Sequence, residues 1–259
     1  MTPTERSQKP RIPLLSEVVD LDAVRRQVEK LSPRQIIEQL NDSSYIIENG
    51  SVFKIYRVED KLPITLLLNV LDCPWSIVTA LQIAEKHGEN GNVLYIPIRE
   101  VHGMLYGKIV HEKYLTHLEN ELGIPVEVSL EEEVQINGKT IRIVGRADAL
   151  IPGDFRITVL EVKSTCKIVP KHIMQLWAYT HMLNRYVEDK IAKPLLLTPK
   201  GFTRLDRYYA WNDVVNMVKL FLYILEKREN VPWDHTKTCP KARCPYYPWC
   251  PKAAKLDIA

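Results

Sequence analysis

The chain has no long apolar run. Its longest largely apolar stretches, Ile64 to Leu68 and Leu220 to Leu225, fall far short of the roughly 20 residues that cross a bilayer as a helix. A membrane span is excluded, and no membrane partner is expected. Charge of one sign is also lacking. The 35 Lys and Arg against 32 Asp and Glu leave a net +3, so no bulk field draws the chain to nucleic acid and any such attraction must come from local patches. The N-terminus reads M-T-P-T-E-R-S-Q-K-P-R, without a charged-then-apolar leader, which points to the reducing cytoplasm and away from a disulfide framework. There is no internal repeat, no low-complexity tract and no Gly-x4-Gly-Lys-Ser/Thr phosphate loop, so the chain carries no phosphate-loop motor of its own.

What is present can fold. With 259 residues, 46% of them apolar, the chain can bury a substantial core, and one domain with extensions is expected rather than two. Residues 1–13 read as a mobile tail with three prolines. From Ser16 to about Leu40 apolar residues recur at helical spacing (Val18, Leu21, Val24, Val28, Leu31), with a break at Ser32-Pro33. Residues 1–65 are set apart as an N-terminal tail and helical extension whose role is not legible, and residues 66–259 as the core. Within the core, Asn69 to Gly88 reads as a helix start led by Cys73, Lys193 to Tyr209 as a return to strands, and Asp213 to Arg228 as an apolar helix leading to the last cysteines.

The chemistry lies in an ordered series: Gly107-x3-His111, Gly145-Arg146-Ala147-Asp148, Glu161-Val162-Lys163 and Gln175-x3-Tyr179. Arg156 to Lys163 (R-I-T-V-L-E-V-K) is rich in β-branched residues. As a strand it puts Ile157, Val159, Glu161 and Lys163 on one face and Thr158, Leu160 and Val162 on the other. Thr140 to Val144 looks like its partner, with Pro152-Gly153-Asp154 turning between them. Such a hairpin brings Asp148 near Glu161, and two adjacent carboxylates are relieved of repulsion by a hard dication such as Mg2+ or Mn2+. Gly145 is read as letting the chain turn just before Asp148. A Glu-x-Lys pair in a chain that is 26% charged is ordinarily a solvated strand face; its place in the series raises its weight. The next helix is expected to begin near Pro170, with Gln175 and Tyr179 four apart on one face, able to bind a phosphate oxygen or a base edge, and tyrosine able to stack. His111 falls in an amphipathic stretch, roughly Glu100 to Leu122. A lone histidine is more often structural than a ligand, but imidazole can complete a metal site and favour Mn2+.

The five cysteines divide cleanly. Cys73, Cys239, Cys244 and Cys250 each precede a proline, whereas Cys166 precedes a lysine. A proline after a cluster cysteine is a recurring companion of iron–sulfur ligation, so Cys166 drops out and four thiolates remain. Zinc suits four thiolates equally well, although paired Cys-x2-Cys knuckles are its more usual signature. Around the last three, Lys237, Lys241, Arg243, Lys252 and Lys255 interleave with Tyr246, Tyr247 and Trp249. This is either a surface for single strands or a loop whose aromatics shield a metal.

The order His111, Asp148, Glu161-x-Lys163, Gln175-x3-Tyr179 resembles the RecB-like branch of the PD-(D/E)xK nuclease superfamily. With the cysteines the chain is most similar to the CRISPR-associated RecB-like exonucleases that carry an iron–sulfur cluster, over roughly residues 66–252. The resemblance implies an α/β fold, with a restriction-endonuclease-like core of a central mixed sheet flanked by helices and an iron–sulfur lobe built from both sides of it. It implies a 4Fe-4S cluster on Cys73, Cys239, Cys244 and Cys250, with structural Zn2+ as the alternative. It implies Mn2+ or Mg2+ held by His111, Asp148, Glu161 and the carbonyl of Val162, catalysis by Asp148, Glu161 and Lys163, and positioning of DNA by Gln175 and Tyr179. The implied activity is cleavage of single-stranded or frayed DNA, 5′ to 3′, before spacer integration, with CRISPR integrase proteins as partners. A repair or viral nuclease, or an idle DNA-binding or assembly module, shares these residues.

Overall fold

The computed structural model describes residues 11–48, 50–59, 61–71, 73–89, 92–98, 100–230, 244, 246, 249 and 250. Three short helices come first: α1 (Leu15–Val18), α2 (Leu21–Val28) and α3 (Pro33–Leu40). The break at Ser32-Pro33 is an N-cap: the Ser32 hydroxyl takes the Gln35 N–H, Gln35 reaches back to the Ser32 N–H, and Pro33 fills the first helical position. A second break was not expected. Asp20 caps α2 by accepting the Ala23 N–H at 2.9 Å, which splits the periodic stretch in two.

A hairpin follows, β1 (Tyr45–Glu48) with β2 (Ser51–Arg57), then β3 (Lys61–Pro63), α4 (Ile64–Leu67) and a 3-10 turn (Leu68–Leu71) into α5 (Pro74–Lys86). Then come β4 (Val93–Ile98), α6 (Val101–Leu122), β5 (Val126–Ile136), β6 (Lys139–Pro152), β7 (Arg156–Val162), α7 (Pro170–Asn184), β8 (Ile191–Thr198), β9 (Gly201–Thr203) and α8 (Trp211–Lys227). Residues 204–209, expected to remain in strands, have no regular structure. Among the described residues no helix is long and apolar enough to cross a membrane.

The strands form two sheets, a small one ordered β1-β2-β4 and a six-stranded one ordered β3-β6-β7-β8-β9, with β5 also on β6. The larger sheet is mixed, since β3–β6 and β7–β8 are parallel and the rest antiparallel. Helices flank it on both faces, in agreement with the α/β class. The segment set apart as residues 1–65 is woven in: β2 pairs with β4 and β3 with β6.

The alternation expected of β7 sorts two cores. Val159 and Ile157 pack on one side with residues of α5, α7 and α8, while Leu160 and Val162 pack on the other with residues of α2, α3 and α6. β6 runs well past the expected Val144 and carries three neighbours. β5 covers one edge from Lys139 to Ala149. The other edge is shared by β3, opposite Arg142 to Val144, and β7, opposite Ala149 to Pro152. Between them residues 145–148 form a fork unclaimed by either strand, and Asp148 sits there.

Candidate active site

A cleft of about 1180 Å³ opens over this fork, lined by the β1–β2 hairpin, α6, the middle of β6, the end of β7, and α7. Asp148 (8% exposed) and Glu161 (2% exposed) lie at its floor. The turn between β6 and β7 falls where expected, but Thr140 to Val144 pair with β5 and β3 and not with β7. It is Ala149 to Pro152 that pair with β7, and Ala149 opposite Leu160 brings Asp148 beside the end of β7. The Val162 N–H donates to Asp148 Oδ2 at 2.7 Å, and His111 Nε2, from α6, stands 2.8 Å from the same oxygen. Lys163 Nζ donates to Glu161 Oε1 at 2.5 Å and to Gln175 Oε1 at 3.3 Å, and Gln175 Nε2 donates to the Tyr179 hydroxyl at 3.1 Å. The series from His111 to Tyr179 thus forms two hydrogen-bonded groups, His111–Asp148–Val162 N–H and Glu161–Lys163–Gln175–Tyr179, which meet at the Glu161-Val162 backbone.

Two readings need correction. Gly145 makes no turn; it lies inside β6, where a Cβ would come 2.2 Å from Tyr179 Cε1. Its bare Cα admits the tyrosine ring. Nor is Tyr179 offered for stacking. Its ring is 2% exposed, and its hydroxyl is held by Gln175 and the Arg146 backbone N–H. It braces Gln175 against the fork.

Electrostatics follow from burial. Burial, then the Asp148 charge, push the Glu161 carboxyl up to about 7, with Lys163 and His111 pulling the other way. Burial works against the Lys163 ammonium, but Glu161 and Asp148 outweigh it and raise its pKa. Burial likewise works against the His111 imidazolium, and is outweighed by the Asp148 hydrogen bond and charge and by Glu161. Glu161 Oε2 is buried without a hydrogen-bond partner. An orphaned carboxylate oxygen at the floor of a polar cleft is costly unless a cation meets it.

The donor set fits a hard divalent ion: two carboxylates, one imidazole and one oxygen already stripped of partners. Among the described residues no three His, Cys, Asp or Glu side chains stand ready-arranged around a common point. Here Asp148 is paired with His111, and Glu161 with Lys163. A bound ion therefore requires Asp148 and His111 to exchange their mutual contact for it.

The sequence reading passed over Tyr45, Lys54 and His172, which also line the cleft. His172 Nδ1 is buried without a partner, and burial with Lys163 and Lys171 pushes its imidazole down to about 4. The hairpin residues carried a usable signal, the β-branched and aromatic content of V-F-K-I-Y after the Asn49-Gly50 turn dipeptide.

Cys73 is the N-cap of α5. Burial pushes its thiol up to about 11; the Trp75 and Ser76 backbone N–H groups oppose this, and Cys244 and Cys250 are near enough to add to it. Of the four described cysteines, Cys244 and Cys250 thus lie within electrostatic range of Cys73, without forming a ready-arranged metal group, and Cys239 lies outside the described residues. Cys166 is exposed. Of the C-terminal patch, Tyr246 is buried in the main core and the Trp249 ring sits edge-on to Phe53 at 5.3 Å. Tyr246 is thereby withdrawn from stacking, and Trp249 is half-buried. Lys237, Lys241, Arg243, Tyr247, Lys252 and Lys255 lie outside the described residues.

No family model matches the chain, and no curated protein does. Among solved structures it is similar to SSO0001, with a TM-score of 0.51 and 19% identity over 90% of this chain and 96% of that one. This shows a shared fold. Protein VC1899 from Vibrio cholerae gives a TM-score of 0.31 and 10% identity over 83% of this chain and 53% of that one, too slight a likeness to build on.

Proposed function

We propose that the protein is a metal-dependent DNA exonuclease of the RecB-like PD-(D/E)xK type, trimming single-stranded DNA ends 5′ to 3′ for CRISPR spacer integration alongside integrase proteins. The observation that carries the reading is the buried Glu161 carboxylate, one oxygen on Lys163 and the other unpartnered, beside Asp148 at the floor of an open cleft. His111, Asp148, Glu161 and the Val162 carbonyl would hold Mn2+ or Mg2+. Such an ion supplies Lewis-acid polarisation of a phosphate and a bound water of lowered pKa.

The chain's own residues do the rest. The Val162 N–H fixes Asp148 in orientation. Lys163, held cationic by the two acids, offers an ammonium to the charge developing on a phosphate oxygen. Gln175 orients Lys163 and is itself braced by Tyr179. The nearness of Cys244 and Cys250 to Cys73 supports a cluster lobe, with Cys239 as fourth ligand and a 4Fe-4S cluster as occupant.

The test is cleavage of end-labelled single- and double-stranded DNA with Mn2+ or Mg2+ by anaerobically purified protein. The wild type should be brown and should shorten single strands from the 5′ end, and Asp148→Ala and Lys163→Ala should both lose activity. Retained cleavage in both variants sinks the site assignment, DNA binding without cleavage marks an idle module, and colourless protein with stoichiometric zinc removes the iron.

A further inference from the structure

The cleft has a second wall, made by a part of the chain outside the nuclease motifs. In the β1–β2 hairpin Tyr45 is directly opposite Lys54, and Tyr56, two residues further along β2, shares the face of Lys54. The Lys54 ammonium rests over both rings, 5.1 Å from the Tyr45 centroid and 5.3 Å from that of Tyr56. Tyr45 and Lys54 line the same cleft as Asp148 and Glu161.

Lys54 differs from the other cations there. Lys61 is 3.7 Å from Glu131, Lys108 is 3.6 Å from Glu112, Arg146 is 3.1 Å from Glu127, and Lys163 is on Glu161. Among the described residues Lys54 has no carboxylate within 4.0 Å. Asp42 acts on it only at longer range and is engaged by the Ser44 N–H. A lysine set on two aromatic faces keeps its charge for an incoming anion. Its flexible stem is already ordered, so less entropy is lost when that anion binds.

We propose that Lys54, held by Tyr45 and Tyr56, is a phosphate-binding residue that seats a single DNA strand against the wall of the cleft. The proposal rests on the nuclease reading for its substrate and assigns a binding role outside the catalytic network. Tyr45 and Tyr56 are positioning residues. Their rings aim the ammonium; at Tyr45 a ring without its hydroxyl does so equally well, whereas the Tyr56 hydroxyl also engages Lys54.

The experiment is fluorescence anisotropy of a labelled single-stranded oligonucleotide in EDTA, where binding is read without cleavage, over a range of salt. Lys54→Ala should bind about three- to tenfold more weakly, and its slope of log Kobs against log salt should be smaller by about 0.7, the share of one phosphate contact on a single strand. Lys54→Arg and Tyr45→Phe should bind like wild type, and Lys61→Ala, whose ammonium is engaged by Glu131, should change little. Lys54→Met serves if the alanine variant melts early. Wild-type affinity and salt slope in folded Lys54→Ala or Lys54→Met overturn the proposal, and leave the nuclease reading intact if wild type cleaves. Binding that depends on Lys54 without any cleavage sustains the proposal for DNA binding and removes the nuclease.

Discussion

A single hydrogen atom at position 145 decides whether the site can close. Tyr179 lies so near the strand that a methyl group there would overlap Cε1 at 2.2 Å and Cδ1 at 2.9 Å, and the ring is too buried to swing aside. Gly145→Ala should therefore destabilise by about 1–3 kcal/mol, the range for overpacking a core, and Tyr179→Leu in the same chain should recover part of the loss. Urea unfolding of the two single variants and the double reads this as a coupling; simple additivity would disprove the contact. Asp148, Glu161 and Lys163 were legible in the sequence because a period of two fixes the face of each strand residue. The function of Gly145 was not, because a strand glycine and a turn glycine look alike until the helix packed above is known. Tyr179 was misread for the same reason. A four-residue spacing says that two side chains meet, not whether the second is buried.

Elements with local signals could be read, and those assembled from afar could not. Pro170 opens α7 and Pro74 opens α5 where expected, because a first-turn proline needs only its own neighbours. β3 acquires its identity from β6, about 80 residues on, and three residues cannot announce such a pairing. This is why residues 1–65 were set apart without a legible role. α3 has structural consequences at the cleft, since its last residue, Leu40, lines it and accepts a hydrogen bond from Lys108 Nζ at 2.8 Å. Ser32→Ala removes the capping box of α3 and should cost about 1 kcal/mol of stability, measured by urea unfolding. No change in the midpoint would show that tertiary packing alone holds the helix.

For the molecule as a whole, the proposed metal binding would be linked to acidity through Glu161. Its pKa near 7 lies above the unfolded value. In the metal-free protein, stability from this group therefore falls as pH rises from the ordinary carboxylate range toward 7, because the unfolded chain surrenders its proton first. A dication reverses the trend by stabilising the ionised form. The rise in Tm produced by Mn2+ should be larger near pH 8 than near about pH 5.5; scanning calorimetry showing equal rises at both would remove Glu161 from the ligand set.

The sorting of β7 between two cores also constrains how the gene can vary. A one-residue insertion or deletion between Phe155 and Val159 would carry Glu161 into the packing around Leu160 and turn Val162 toward the cleft, exchanging every inward and outward side chain at once. Length changes there are admissible only in pairs. The buried acid thus acts as a reading-frame mark for the sheet, since in any slipped alignment it and Lys163 would be carried together into the apolar packing around Leu160, away from Asp148.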